Sequence, residues 1–129
     1  MPTIPDTHRD LVEAPLIASL ATVGPDGTPQ VTAIWFVAEG NTIELSLLAT
    51  RQKYKNMVAR PQATLFLIDP KNPFRTLEIR GTAEAGEDPD LALFEKVVRH
   101  YGHEPASFPV PNEGRVAITL RPTRVVAQG

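Results

Sequence analysis

Leu16-Ile17-Ala18-Ser19-Leu20-Ala21-Thr22-Val23 runs straight into Gly24-Pro25-Asp26-Gly27, and a second apolar run follows over 29–38 with Val31, Ile34, Trp35, Phe36 and Val37. Gly, Pro and Asp supply the backbone angles of a tight reversal, so the two runs pair back on each other as a hairpin. Glu39-Gly40-Asn41 reverses the chain again into 42–48, where Ile43, Leu45 and Leu47 alternate with Glu44 and Ser46 as in a half-buried strand.

Outward from this meander the pattern continues. Upstream, 3–14 reads as one short helix with Asp6 or Thr7 as its cap, ended by Pro15. Downstream, a short helix over 51–60 stops at Pro61, and 63–68 is a nearly continuous apolar strand of the kind buried on both faces. Residues 69–73 form a loop, and 74–85 one long strand in which Gly81 marks a bulge or close approach. Asp88-Pro89 opens a helix over 90–101 with Leu91, Phe94, Val97 and Val98 on one face, ended by Gly102. The stretch 103–114 holds three prolines and little periodicity; strands at 115–120 and 123–127, parted by Arg121-Pro122, close the chain. Strands joined by tight turns pair antiparallel. The expected architecture is mainly β, a barrel of six to seven antiparallel strands with short peripheral helices, forming one domain over 1–129.

Composition narrows the function. With 129 residues, 42% hydrophobic and 22% charged, the chain can build a real core, but a deep cleft would consume much of it. A site at a dimer interface would ease that constraint. The net charge of −2 argues against a nucleic-acid surface, so any basic patch must be local. The chain has no cysteine, which excludes a disulfide framework, a thiolate metal site and thiol catalysis, and fits a reducing cytosol. No segment approaches a membrane span, and the start of the chain lacks the basic and apolar runs of a signal peptide. A cytoplasmic protein with no membrane partner is expected.

One local basic patch stands out. Thr50-Arg51-Gln52-Lys53-Tyr54-Lys55-Asn56 puts three cations at the start of a helix, where partial positive charge and unpaired N–H groups already sit. Three solvated cations there would cost a few tenths of a kcal/mol each (~0.3). An anion among them reverses that sign, and a phosphate is the simplest occupant, with Thr50 capping the helix or bonding the anion directly.

Catalytic side chains are scarce. His8, His100 and His103 show no metal-ligand spacing beyond the i, i+3 pair His100 and His103, which at a helix end reads as surface histidines, and no metal is expected. Ser19, Ser46 and Ser107 have no nucleophile elbow or adjacent base, and no glycine-rich phosphate loop exists. If the protein is an enzyme, a bound cofactor carries its chemistry.

An ordered set of motifs carries a resemblance. It comprises Leu20-Ala21-Thr22 with Pro25-Asp26-Gly27-x-Pro29-Gln30-Val31, Trp35-Phe36, Arg51-x-Lys53-x-x-Asn56 with Pro61, Thr64-Leu65-Phe66-Leu67, Asp69-Pro70-Lys71-Asn72-Pro73-Phe74-Arg75, Leu77-Glu78-Ile79-Arg80-Gly81 and Arg121-Pro122-x-Arg124-Val125-Val126. Together these resemble the flavin/deazaflavin oxidoreductases, which share the FMN-binding split β-barrel of pyridoxamine 5′-phosphate oxidase, and most of all their branch dependent on the deazaflavin coenzyme F420.

The resemblance implies a homodimer with two cofactor sites between the subunits and hydride transfer to a conjugated small-molecule acceptor. It implies that Arg51, Lys53 and Lys55 hold the cofactor phosphate and acidic tail, with Asn56 supporting the helix start. Ser46, Leu47, Leu48, Ala49 and Thr50 would line the ring by backbone contacts, above a strand of Gln30, Val31, Thr32, Ala33 and Ile34. Phe74, beside Arg75, falls where a partner subunit presents an aromatic over the ring. No catalytic side chain is assigned: Tyr54, Tyr101, His100 and solvent are all open as proton donors. Two alternatives stand beside this reading: FMN in place of F420, as in a pyridoxamine 5′-phosphate oxidase, and a non-catalytic protein that binds a cofactor or haem-type ligand.

Overall fold

The computed structural model describes residues 2–109 and 113–129. Seven strands form one antiparallel sheet: β1 (Ala18–Val23), β2 (Pro29–Ile34), β3 (Val37–Glu39), β4 (Thr42–Leu48), β5 (Gln62–Asp69), β6 (Asn72–Glu87) and β7 (Arg115–Gln128), in the order β2-β1-β5-β6-β7-β4-β3. Three helices flank it: α1 (Asp10–Glu13), α2 (Gln52–Ala59) and α3 (Ala92–His100).

The apolar run over 29–38 is not one strand. It breaks at Trp35-Phe36 into β2 and β3, which lie at opposite edges of the sheet. A two-residue link between the two outermost strands forces the sheet to curl until its edges meet. The edges do not hydrogen-bond to each other among the described residues, so the barrel is split at this seam. Phe36 fills the seam with a fully buried ring, and its N–H donates to Tyr101 Oη at 3.1 Å.

Inside the barrel, alternate residues meet. Leu20, Ile43, Leu45, Leu65, Leu77, Ile79, Ile118 and Leu120 have at most 1% of their surface exposed, as the period of two along each strand requires. The run over 63–68, expected to be buried on both faces, is covered on one only: Phe66 and Ile68 point outward at 36% and 50% exposure. Leucine and phenylalanine alone do not tell a two-sided strand from a one-sided strand with an apolar outer face.

The two closing strands expected at 115–120 and 123–127 are one strand, β7, paired along β6. Pro122 fits inside it because the register shifts at Arg80/Gly81, where proline's missing N–H is not needed. The backbones come so close there that a Cβ on Gly81 would lie 2.5 Å from Arg121 O. The opening helix is likewise two pieces, a 3-10 turn at Asp6–His8 and then α1. Leu11 and Val12 plug one end of the barrel, and the buried His8 ring donates from Nε2 to the Gln128 carbonyl at 2.8 Å.

The helix expected over 90–101 begins at Ala92 instead, after a short 3-10 turn in which Asp90 and Leu91 take left-handed angles. Asp88 still caps it, its carboxylate accepting from Leu93 and Phe94 N–H at 2.8 and 2.9 Å. Of the proline-rich stretch 103–114, Val110, Pro111 and Asn112 lie outside the described residues.

Candidate functional site

Between β2, β4, α2 and α3 lies a cavity of about 330 Å³. Its cationic end is built by the turn into α2. Arg51, not Thr50, is the N-cap residue of α2: its backbone is extended and no side chain caps the first turn. Thr50 lies one residue upstream, exposed and outside the cavity. Arg51 and Lys53 line the cavity, and Lys53 Nζ leans toward β2, donating to Thr32 Oγ1 at 3.3 Å and to the Ala33 carbonyl at 3.4 Å. Burial and then the Arg51 charge push the Lys53 pKa below the ordinary lysine value. Neither cation forms an ion pair among the described residues.

Asn56 does not support the helix start. It lies in the middle of α2, fully buried, and its amide binds on both sides. Nδ2 donates to Thr22 Oγ1 (3.0 Å) and Gln30 Oε1 (2.8 Å), while Oδ1 accepts from Gln52 Nε2 at 2.8 Å. Arg60 extends the joint by donating from Nε to the Val23 carbonyl at 2.8 Å. Asn56 therefore sets the helix against the β1–β2 hairpin, and Gln30 is taken up in the same joint.

Of the other residues named from sequence, Ala33, Ile34, Ser46, Leu47 and Leu48 line the cavity. Val31, Ala49 and Lys55 do not; Val31 is 65% exposed on the outer face of the sheet. Phe74 sits at the β5–β6 hairpin, 83% exposed, and takes no part in this protomer's cavity. Arg75 is committed elsewhere. Its guanidinium binds both Asp10 and Asp69, at 3.0 Å for Asp69, and donates to the Thr7 carbonyl at 2.6 Å, tying the hairpin to the N-terminal segment.

Apart from Trp35, an aromatic available for stacking, the other half of the cavity went unread in the sequence. Phe94, Val97 and Val98 of α3 form one wall, where helical spacing suggested only core, and Trp35 and Phe108 form another. Trp35 stacks parallel on Tyr101, with ring centroids 4.4 Å apart, and leans on Phe108 at 5.5 Å. Arg115, at the start of β7, is the third cation of the lining. Its guanidinium lies 4.7 Å from the Phe94 ring centroid and Nη1 donates to the Ser46 carbonyl at 3.4 Å. No periodicity marks a strand's first residue as facing a cavity; only the packing of α3 over β4 puts it there.

Two of the open proton donors face away from the cavity. Tyr101 Oη accepts from Phe36 N–H and donates to the Leu16 carbonyl at 2.6 Å, and burial pushes its pKa up. His100 lines a separate groove beside Arg9 and Val12. Tyr54 packs against the core. Among the described residues no group of three metal-ligating side chains forms, and no helix is long and apolar enough to cross a membrane.

The lining thus holds three cations and, among the described residues, no carboxylate. Ser46 Oγ is buried at the cavity without a hydrogen-bond partner among those residues, a cost that a polar ligand atom would relieve. Flat aromatic walls, cations at the lining and an unsatisfied hydroxyl suit a planar conjugated ligand carrying anionic groups.

Comparison with known proteins agrees. The family model of pyridoxamine 5′-phosphate oxidase matches residues 4–129. Among solved structures, an F420 reductase shares 40% identity with the chain, covering 95% of it and 98% of the reductase at a TM-score of 0.87. A conserved hypothetical protein of Mycobacterium tuberculosis matches at 24% identity over 98% of this chain and 85% of the other, with a TM-score of 0.79. General stress protein 26 of Bacillus anthracis matches at 17% identity over 93% and 89%, with a TM-score of 0.71. No curated protein sequence matches.

Proposed function

The chain belongs to the pyridoxamine 5′-phosphate oxidase family, and from that premise we propose that it is an F420-dependent oxidoreductase reducing a conjugated small-molecule acceptor. The observation that carries this reading is the cavity in which Arg51 and Lys53 face a ligand space with no acid in its described lining. The 40% identity to an F420 reductase over nearly the whole chain favours the deazaflavin over FMN.

When bound, the reduced deazaflavin supplies a hydride; the protein supplies position and shelter. Arg51 and Lys53 hold the phosphate by charge-assisted hydrogen bonds. Ser46 and the backbone of Leu47 and Leu48 line the ring site beside Ala33 and Ile34. Trp35, Phe94 and Phe108 exclude water. With Tyr101 and His100 turned away, Tyr54 and solvent remain as the proton sources.

The active unit is a homodimer in this reading. Ala33, Ser19 and Phe66 stand in register across β2, β1 and β5, so the exposed apolar face continues into the rim of the cavity at Ala33. A second copy laid on that face would complete the cavity wall, and its Phe74, exposed on a rigidly tied hairpin, is the aromatic available to cover a ring.

Calorimetric titration of the apo-protein with F420 and with FMN, at low and raised salt, tests the reading. Tight, salt-sensitive binding of F420 alone is expected. Preference for FMN would assign the flavin cofactor instead, and binding of neither would refute the oxidoreductase function.

A further inference from the structure

Ser46 carries the only hydroxyl in the described lining of the cavity. Its neighbours along β4, Leu45 and Leu47, are buried in the barrel, so the period of two turns the Ser46 side chain outward, to the side where α3 packs and Phe94, Val97 and Val98 wall the cavity. Its Oγ is buried there with no hydrogen-bond partner among the described residues. Neither neighbour in the sheet serves it. Ala117, opposite in the β4–β7 register, has only a methyl group, and Glu44, two residues back on the same face, accepts from the Thr42 and Thr119 hydroxyls at 3.2 and 2.7 Å. The phosphate site at Arg51 and Lys53 lies past the end of β4, whose last residue, Leu48, is already roughly 7 Å along the strand from Ser46. One phosphate at the start of α2 therefore leaves the hydroxyl unserved.

We infer that Ser46 is a specificity-determining residue whose hydroxyl hydrogen-bonds a single oxygen on the benzenoid end of the ring, so that the cavity selects a hydroxylated deazaflavin over FMN. The inference rests on the oxidoreductase reading above and assigns its choice of cofactor to a residue. The two ends of such a ring differ. The pyrimidine end carries two carbonyls flanking an N–H and needs several partners at once, so one hydroxyl among Phe94, Val97 and Val98 would leave most of them buried and unpaired. The benzenoid end of the deazaflavin is apolar apart from one oxygen. That matches one hydroxyl in apolar surroundings. FMN carries methyl groups at the same end, which fill the space but leave the serine unpaired, and a site built around a buried hydrogen bond discriminates against the analogue that lacks it.

Trp35 makes the test direct, because it is the only tryptophan in the chain and it lines the cavity. Quenching of its fluorescence is followed as two phosphate-free probes are added to the apo-protein: 7,8-didemethyl-8-hydroxy-5-deazariboflavin, and 5-deazariboflavin, which has the same ring core with methyl groups at the benzenoid end. The native chain, Ser46→Ala, Ser46→Thr and Lys53→Ala are compared. The native protein should bind the hydroxylated probe about tenfold more tightly, Ser46→Ala should bring the two within about twofold, and Ser46→Thr, which keeps the hydroxyl, should retain the preference. Lys53→Ala should leave it unchanged, since neither probe has a phosphate. The Ser46→Ala apo-protein should melt within about 4 °C of the native one, because the hydroxyl has no described partner to lose. Equal affinities in the native protein, a preference that persists in Ser46→Ala, a larger fall in its melting temperature, or no binding of either probe overturns the inference. Failure of F420 and FMN to bind, with the preference between the probes intact, overturns the oxidoreductase reading instead and leaves Ser46 as a receptor for a ring oxygen.

Discussion

Asn56 Nδ2 donates to Gln30 Oε1 at 2.8 Å, and that contact sets the helix bearing Arg51 and Lys53 against the strand bearing Thr32 and Ala33. The same amide holds Thr22 of β1. A fully buried polar residue so well satisfied makes the cationic end of the cavity a rigid construction, not two surface lysines and an arginine that happen to be near.

Asn56→Ala should therefore destabilise the fold by about 3 kcal/mol, because it leaves the Gln30 and Gln52 amides and the Thr22 hydroxyl without their partner. Urea unfolding measures this. A loss below about 1 kcal/mol would show that water replaces the amide and that the joint is dispensable.

Lys53→Ala separates binding from stability. Loss of one charge-assisted contact should weaken F420 binding by about 1.5 to 3 kcal/mol in a calorimetric titration. The apo-protein should melt at the same temperature or slightly higher, since a cation leaves a helix N-terminus, worth about 0.5 kcal/mol at most. Unaltered affinity with a lowered melting temperature would make the lysine structural.

The Arg75 clamp has an acid limit. The Lys71 N–H and then Arg75 hold the Asp69 carboxyl below its ordinary 3.8, and Arg75 does the same to Asp10. Carboxylates depressed in the folded state contribute stability that is present above the unfolded value and lost as pH falls through the folded one. Native protein should thus be more stable than Asp69→Asn by a constant margin above about pH 5, and the margin should shrink as pH falls below 3.8. A margin independent of pH would remove the ionic account.

Gly81→Ala tests the close approach in the β6–β7 ladder. A methyl group 2.5 Å from Arg121 O cannot be accommodated without moving backbone, so a loss of about 3 kcal/mol or failure to fold is expected. Gly86→Ala, on the same strand with nothing within 4 Å, should change stability by less than about 0.5 kcal/mol. Similar thermal midpoints for the two variants would refute the steric argument.

Phe66→Lys addresses the outer face of the sheet. The side chain is already partly exposed, so folding should persist, while light scattering should show the particle mass halved if two copies meet on this face. An unchanged mass would place the contact between subunits elsewhere or remove it.

Much of the barrel could be read directly because its signals are local. Gly24-Pro25-Asp26-Gly27 dictates a hairpin from its own backbone preferences, and the β1–β2 register follows it without a slip. Gly81 announced the bulge for the same reason. Arg51 and Lys53 were legible because helix-start electrostatics depend only on neighbours along the chain. Where a side chain's role depends on what lies across from it, the sequence was silent. Asn56 looked like part of the cation motif until Gln30 and Thr22 came within reach, and Arg75 looked like a cofactor ligand until Asp10 and Asp69 closed on it.

By itself, then, the sequence determined most of the strands, the turns and the cationic start of α2, since turn geometry, alternation and helix-end charge act over a few residues. Only the tertiary structure decided that 29–38 divides between the two edges of one sheet, that α3 walls a cavity instead of a core, and that Arg115 shares that cavity with Arg51. Each is a contact between residues far apart in the chain, created by closure of the barrel, and no local preference encodes which distant partner a side chain will meet.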